Sequence, residues 1–290
     1  MKAQTLTLPL KALLSFSYIE VLKPKETSLI AFTGIISAFL AGGGQPIGGR
    51  FLMAVAAIIL GTAGANALTN YLDREVDSKM RRTYHRALPS GRIQPAEKVI
   101  LWGGAWVLAG LILAWLLNPW AFLIELIGVI ASLIYRKTVF THFLGSLAGT
   151  TPVLIGWLSI APIQPTLIAL ALLVFFWQPL HIWSLMLAYR EDYLGAGIRY
   201  FPLNLSTNMA RVLFSGLSLS VYLLSLLLYQ VADLGLAYLV SANVLGGALL
   251  LATFYWLRHP QAQNALRLFR IATFPYLGLL LLVLVLERWI

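Results

Sequence analysis

Long apolar runs separated by short polar joins make up most of the chain, and the runs have the length of membrane spans. A helix needs about 20 apolar residues to cross a hydrocarbon core of roughly 30 Å. Nine such segments fall at about residues 27–44, 50–70, 99–117, 120–135, 143–161, 165–187, 212–232, 235–257 and 271–287. The joins at Asn118-Pro119, Ala161-Pro162 and Asp233 are short, so the pairs they link should be tight hairpins. Gly42-Gly43-Gly44 and Pro46 fray the end of the first span. The pattern predicts an all-α integral membrane protein, a bundle of nine transmembrane helices. Two hydrophilic stretches remain, at about 71–99 and 189–211. Neither is long enough to bury a core of its own, so both should fold as caps on a single domain covering 1–290.

Composition agrees with this picture and charge orients it. The chain is 59% hydrophobic and 11% charged, with a mean hydropathy of +0.81, outside the range of soluble domains. Of 21 Lys and Arg, all but Arg50 and Arg288 fall on one side of the spans. Cationic loops stay in the cytoplasm, which predicts a cytoplasmic N-terminus, an outer C-terminus and two cytoplasmic caps. The net charge of +10 is then an orientation bias and an attraction to anionic lipid and substrates, and calls for no nucleic-acid partner. With no cysteine, disulfides and thiolate metal ligation are excluded. The N-terminus lacks a signal-peptide pattern, so the first span is expected to direct insertion.

Candidate chemistry concentrates in Asn70-Tyr71-Leu72-Asp73-Arg74-Glu75-Val76-Asp77-Ser78-Lys79-Met80-Arg81-Arg82-Thr83, at the end of the second span. At about 3.6 residues per turn, Asp73 and Asp77 share a helix face that Asn66 and Asn70 continue. Two carboxylates this close repel, and a divalent cation between them removes the repulsion. Mg²⁺ fits, because it prefers oxygen and takes one or two carboxylates plus substrate phosphates. Asp73 and Asp77 would hold one ion with Asn70, and Asp192, with neighbouring Glu191, a second. Lys79, Arg82, Arg86, Lys137 and Arg190 could clamp diphosphate oxygens. Such a site would neutralise charge on a departing diphosphate. For the aspartate pair alone, a solvated charged loop is the plain alternative. For any single Arg or Lys, cytoplasmic topology is.

The Asn-Tyr-Leu-Asp-Arg-Glu-Val-Asp-x-Lys-Met-x-Arg-Thr run resembles the first aspartate-rich motif of the UbiA-type intramembrane prenyltransferases. Three further stretches are similar to the haem O synthase (protoheme IX farnesyltransferase) branch of that family. They are Lys23-Pro24, the run from Gly145 to Trp157, and Trp177-Gln178-Pro179-Leu180-His181-Ile182-Trp183-Ser184-Leu185 running into Tyr189-Arg190-Glu191-Asp192-Tyr193. The resemblance covers about residues 18–205. It implies magnesium-dependent transfer of farnesyl from farnesyl diphosphate to a vinyl group of haem B. The product, haem O, would supply terminal oxidases, with haem A synthase or oxidase assembly machinery as partners beside the lipid bilayer. It also implies the plasma (inner) membrane as location, with Asp73, Asp77 and Asp192 as catalytic residues. The chain departs from the family pattern at Thr69, where Asn is usual, and after Arg136-Lys137, where the link to the Gly145 run is about one residue short.

His181 precedes Asp192 by 11 residues, so an unbroken helix would put both on nearly one face, about 16 Å apart. Two readings stay open: contact with a porphyrin, through iron or an edge, or a histidine satisfied by a neighbouring helix near Pro179. Glu125, inside the fourth span, reads as a proton carrier or, with more weight, as an acid near the outer mouth where water reaches it. The remaining histidines carry no assigned chemistry. Two rival functions follow: a relative acting on a quinone precursor or chlorin, and a secondary transporter coupling ions through Glu125 and the aspartates. Transporters place such groups near the midplane of inverted repeats, whereas here the acids cluster at one rim and no such repeat is visible.

Overall fold

The computed structural model describes residues 16–45, 48–135 and 141–289, and every regular element among them is helical. In chain order these are α1 (Phe16–Val21), α2 (Pro24–Ala41), α3 (Gly48–Asp77), α4 (Lys98–Leu117), α5 (Pro119–Tyr135) and α6 (Thr141–Leu158). There follow α7 (Pro165–Ala188), α8 (Arg190–Gly195), α9 (Thr207–Val231), α10 (Leu236–Arg258) and α11 (Ala262–Ile271). A π-helical segment, Ala272–Gly278, joins α11 to α12 (Leu279–Trp289). Among the described residues, six helices are long and apolar enough to cross a membrane: α3, α4, α7, α9, α10 and the continuous rod Ala262–Trp289. Two shorter apolar stretches, Pro119–Ile134 and Phe143–Leu158, accompany them.

The rim of the bundle departs from the apolar pattern in two places. Helix α3 runs seven residues beyond its apolar stretch, to Asp77, so both aspartates lie on its last turns. The last rod begins at Ala262, ahead of its apolar part, because Arg267 and Arg270 sit on an amphipathic first segment.

Local chemistry accounts for the breaks. Asn118 ends α4 and caps α5: its Oδ1 accepts the Ala121 N–H at 2.8 Å, and its Nδ2 donates to the Leu158 carbonyl at 2.9 Å. Pro119 then starts α5, where its missing N–H is harmless. Pro152 lies inside α6 and cannot bond the Ala148 carbonyl, and the Thr151 hydroxyl donates to that carbonyl at 2.9 Å instead.

Glycine faces let the helices come close. A Cβ on Gly34 of α2 would lie 2.8 Å from the Pro152 carbonyl oxygen of α6, and one on Gly64 of α3 would lie 2.6 Å from the Gly103 carbonyl oxygen of α4. Ser37 donates to the Val153 carbonyl at 2.7 Å across the first of these contacts. In lipid such close approach supplies the van der Waals contact that holds helices together, since apolar transfer gives no drive there. The largest core cluster joins α7, α9, α10 and the last rod, with Leu173, Phe214, Tyr238 and Tyr276 fully buried.

Candidate active site

Three separate stretches meet at the C-terminal end of α3. Asp73 is half-buried and Asp77, one turn on, is 1% exposed. The segment after α3 folds back over them: Arg86 Nη1 pairs with Asp77 Oδ2 at 3.1 Å, and the Thr83 hydroxyl donates to the Asp77 carbonyl at 3.0 Å. Asn70 lies one turn below and donates through Nδ2 to the Val21 carbonyl at 2.7 Å. That bond fixes the amide and turns its Oδ1 the other way, as a hard oxygen donor. Asn66, next along the stripe, donates to the Thr27 hydroxyl at 2.9 Å and so braces α3 against α2.

The second cap docks on the first. Helix α7 ends at Ala188, and Tyr189 (φ −111°, ψ 30°) breaks it before α8 begins at Arg190. The helix is not continuous from His181 to Asp192, so the shared face that an unbroken helix would give them does not form. The break brings Asp192 over the α3 end, where its Oδ2 accepts the Arg82 backbone N–H at 2.9 Å. A small core of Met80, Met186, Tyr193, Ile198 and Leu203 seals the contact between the caps. Burial pushes the Tyr193 phenol above its usual range, against the pull of the Arg82 guanidinium beside it.

The expected cations divide into two groups. Arg86 and Arg82 face the cluster. The Arg82 guanidinium lies 5.4 Å from the Tyr189 ring centroid, and its Nε is buried without a partner, a donor suited to an anion. Lys79 and Arg190 are exposed, and Arg190 Nε donates to the Leu203 carbonyl at 3.3 Å. Lys137 lies outside the described residues.

One cation was missed by the sequence reading. Lys23 caps α2 in the left-handed region (φ 50°), just before Pro24. It lines a cavity of about 360 Å³ with Glu20, Glu26, Asn70, His85 and Arg86. Its ammonium is held down to about 8, first by burial and then by Arg86, while Asp73, Glu26 and Asp77 pull the other way. The Lys23-Pro24 pair was visible in the sequence. What hid the site role is that α1 and the Glu20 contacts to Ala87 N and Arg92 are needed to fold that cavity.

His181 does not join this cluster. Its ring is stacked between Trp177 (centroids 4.5 Å) and Phe269 (4.4 Å), and its Nδ1 lies 3.1 Å from the Thr273 hydroxyl. Both ring faces are therefore covered, and only the Nε2 edge remains to be presented. Glu125 also differs from expectation. It is not at a wet mouth but 4% exposed, facing Gly61 of α3 and Gly110 of α4, with neither carboxyl oxygen hydrogen-bonded.

The donor set suits magnesium. Asn70, Asp73, Asp77 and Asp192 offer only hard oxygens, and among the described residues no three acidic, His or Cys side chains converge into a cage of their own. That arrangement fits an ion that keeps water and completes its shell with substrate phosphates.

A family model described as the UbiA prenyltransferase family matches residues 30–277. Curated relatives include a protoheme IX farnesyltransferase of Desulforudis audaxviator, 36% identical over 94% of this chain and 89% of that protein. Another, from Bordetella avium, bears the same name and is 32% identical over 94% of each. Solved structures of similar fold include a digeranylgeranylglyceryl phosphate synthase, with TM-score 0.77, 17% identity, and coverage of 94% of this chain and 98% of that one. A UbiA homologue from Archaeoglobus fulgidus bound to GPP and Mg²⁺ follows, with TM-score 0.66, 15% identity, and coverage of 94% and 99%.

Proposed function

The chain belongs to the UbiA prenyltransferase family, and on that premise we propose that it is a protoheme IX farnesyltransferase, making haem O from haem B and farnesyl diphosphate. The observation that carries the reading is the near full-length match to relatives of that name, supported by the bond that ties Asp192 to the Arg82 backbone just beyond Asp77.

In this reading the protein is a single-domain bundle of nine spans in the plasma (inner) membrane, with its N-terminus and both caps on the cytoplasmic side. Asn70, Asp73, Asp77 and Asp192 would hold magnesium, which when bound would neutralise charge on the diphosphate leaving group. Arg82, Arg86 and Lys23 bind the phosphate oxygens, with Lys79, Lys137 and Arg190 as outer contacts. The C1–oxygen bond of the allylic diphosphate breaks with its electron pair leaving on the diphosphate. The vinyl π pair of haem B forms the new bond to C1. Water then adds at the carbon next to the macrocycle and releases its proton. The packed caps keep water from the cation until that bond exists, and the apolar bundle receives the isoprenoid tail. His181 serves as a contact for the tetrapyrrole through its Nε2 edge. Haem A synthase or terminal oxidase assembly machinery takes the product.

The test is the haem profile of membranes from a host lacking haem O, with and without this protein. Appearance of a farnesylated hydroxyethyl haem that depends on Mg²⁺ and farnesyl diphosphate is expected. Unchanged haem B, with farnesyl passing to another aromatic acceptor, would overturn the acceptor assignment.

A further inference from the structure

Among the described residues, Glu125 is the one buried acid that the cap chemistry does not use. It lines a cavity in the bundle interior together with Ile58, Gly61, Thr62, Val129 and Pro152, beneath Asn66 and Thr69. Glu125 and Val129 lie one turn apart on α5, and Gly61, Ala65 and Thr69 run up the facing side of α3 toward Asp73. Three of the polar side chains in the side walls are spent on the protein itself. Thr69 donates to the Asn66 carbonyl, Asn66 Nδ2 to Thr27, and Thr151 to the Ala148 carbonyl. The rest of the wall includes Ile30, Ile58, Ala65, Val129 and Ile155, with the Ser132 and Gln178 side chains among them. At the lower end the carboxyl of Glu125 alone is unsatisfied, wedged where a Cβ on Gly61 or Gly110 would collide with it.

The length of this passage matches a ligand of definite size. Twelve residues of α3 separate Gly61 from Asp73, a rise of about 18 Å. Twelve main-chain carbons, the length of three isoprene units, extend about 13 Å at roughly 1.2 Å per bond. The metal and diphosphate between the aspartates and C1 would take up about 5 Å, two magnesium–oxygen bonds of about 2 Å each among them, so the end of such a tail arrives at Glu125. A fourth unit needs about 5 Å more by the same measure, and the carboxyl fills that space. A longer tail would also seal an unpartnered acid under hydrocarbon, which is costly.

We propose that Glu125 is the floor of the prenyl channel and sets its chain-length limit at three isoprene units. The inference rests on the diphosphate being held at Asp73 and Asp77, as proposed above. It assigns Glu125 a specificity role and no part in bond making.

Equilibrium competition between non-hydrolysable C15 and C20 diphosphate analogues, with Mg²⁺ and purified full-length protein, reads the floor directly. The wild type should prefer C15 by about tenfold or more, the scale on which a closed pocket rejects an added group. Glu125→Ala should bring the two within about threefold, and the isosteric Glu125→Gln should keep the wild-type preference. Adding Gly61→Val to Glu125→Ala refills the slot and should restore it. Val129→Phe raises the floor by one turn and should shift preference toward a C10 analogue, which keeps the question answerable if Glu125→Ala proves unstable. If Glu125→Ala binds C15 and still rejects C20 like the wild type, or if Val129→Phe leaves the profile unmoved, Glu125 is not the floor. Failure of the wild type to bind any prenyl diphosphate analogue would instead sink the diphosphate assignment on which the inference stands.

Discussion

The backbone N–H of Arg82 donates to the carboxylate of Asp192 at 2.9 Å, joining two segments 110 residues apart. This bond ties the second cap to the segment that follows Asp77, with the Arg82 side chain beside Tyr189 and Tyr193. Asp192→Asn keeps an oxygen to accept that N–H but removes the charge, whereas Asp192→Ala loses both. Turnover should fall strongly in both variants, by about 100-fold or more, with the caps staying closed only in the first. Limited proteolysis between residues 78 and 97 separates the two effects, since only Asp192→Ala should expose that stretch.

Asp73→Ala and Asp77→Ala should each abolish haem O formation while the protein still inserts. Losing a ligand that bridges to diphosphate weakens transition-state binding by several kcal/mol, about the scale of metal charge stabilisation. Asp77→Ala also strips Arg86 of its partner, so its melting temperature should fall further than that of Asp73→Ala. Near-normal turnover at saturating Mg²⁺ in either variant would remove the carboxylate from the metal site.

The two exposed cations and the two inward ones should separate in kinetics. Arg82→Ala should raise the KM for farnesyl diphosphate by about tenfold or more, and Arg190→Ala by no more than about threefold, since Arg190 is tied to the Leu203 carbonyl. Equal effects would mean that Arg190 swings into the site on binding.

Lys23 gives a pH dependence. Its folded pKa of about 8 lies below the usual lysine value, so the ammonium is present below pH 8 and lost above it. Affinity for the diphosphate should therefore fall as pH rises through about 8 in the free enzyme. Stability runs the other way. The unfolded chain holds this proton up to the ordinary lysine range, so the burial penalty is fully present below about pH 8 and fades as pH rises toward 10.5. Lys23→Met should flatten both profiles, which isothermal titration and thermal melts across pH 7–10 would record.

His181→Ala empties the space between Trp177 and Phe269 and should cost about 2–4 kcal/mol, as truncation of a large buried side chain does. His181→Phe refills the stack and should recover most of that stability. If Nε2 contacts the tetrapyrrole, His181→Phe will still make little haem O and bind haem B weakly, with farnesyl diphosphate binding unchanged. A fully active His181→Phe would make the histidine a packing residue.

How far the sequence reached depends on the range of the interaction involved. The spacing of Asp73 and Asp77 is a local property of a helix, and the structure keeps it. Apolar runs marked out the helices for the same reason, although the amphipathic start of the last rod at Ala262 was read as loop. Rotation about a helix axis is harder. Around Glu125, α5 is apolar on every side, so only Gly61 and Gly110, far along the chain, decide that the acid turns inward. The change of direction at Tyr189 was invisible as well, because the docking of α8 on Met80 and Arg82 selects it over a continuous helix. Lys23 depends on contacts from three separate segments, none of which a local pattern announces.

The Arg86–Asp77 pair has a consequence for the order of events at the rim. Arg86 gives its Nη1 to Asp77, and an arriving phosphate would compete with that carboxylate for the same guanidinium. At the site proposed above, loading would then be an exchange of partners: the carboxylate passes from arginine to metal as the arginine passes from carboxylate to phosphate. Neither half of the exchange is favourable alone, since each would strand a charge in a buried place. Metal and diphosphate should arrive as one preassembled, largely neutralised complex, and each should bind poorly without the other. That coupling would make the aspartate pair a gate against bare divalent ions as well as a cradle for the substrate.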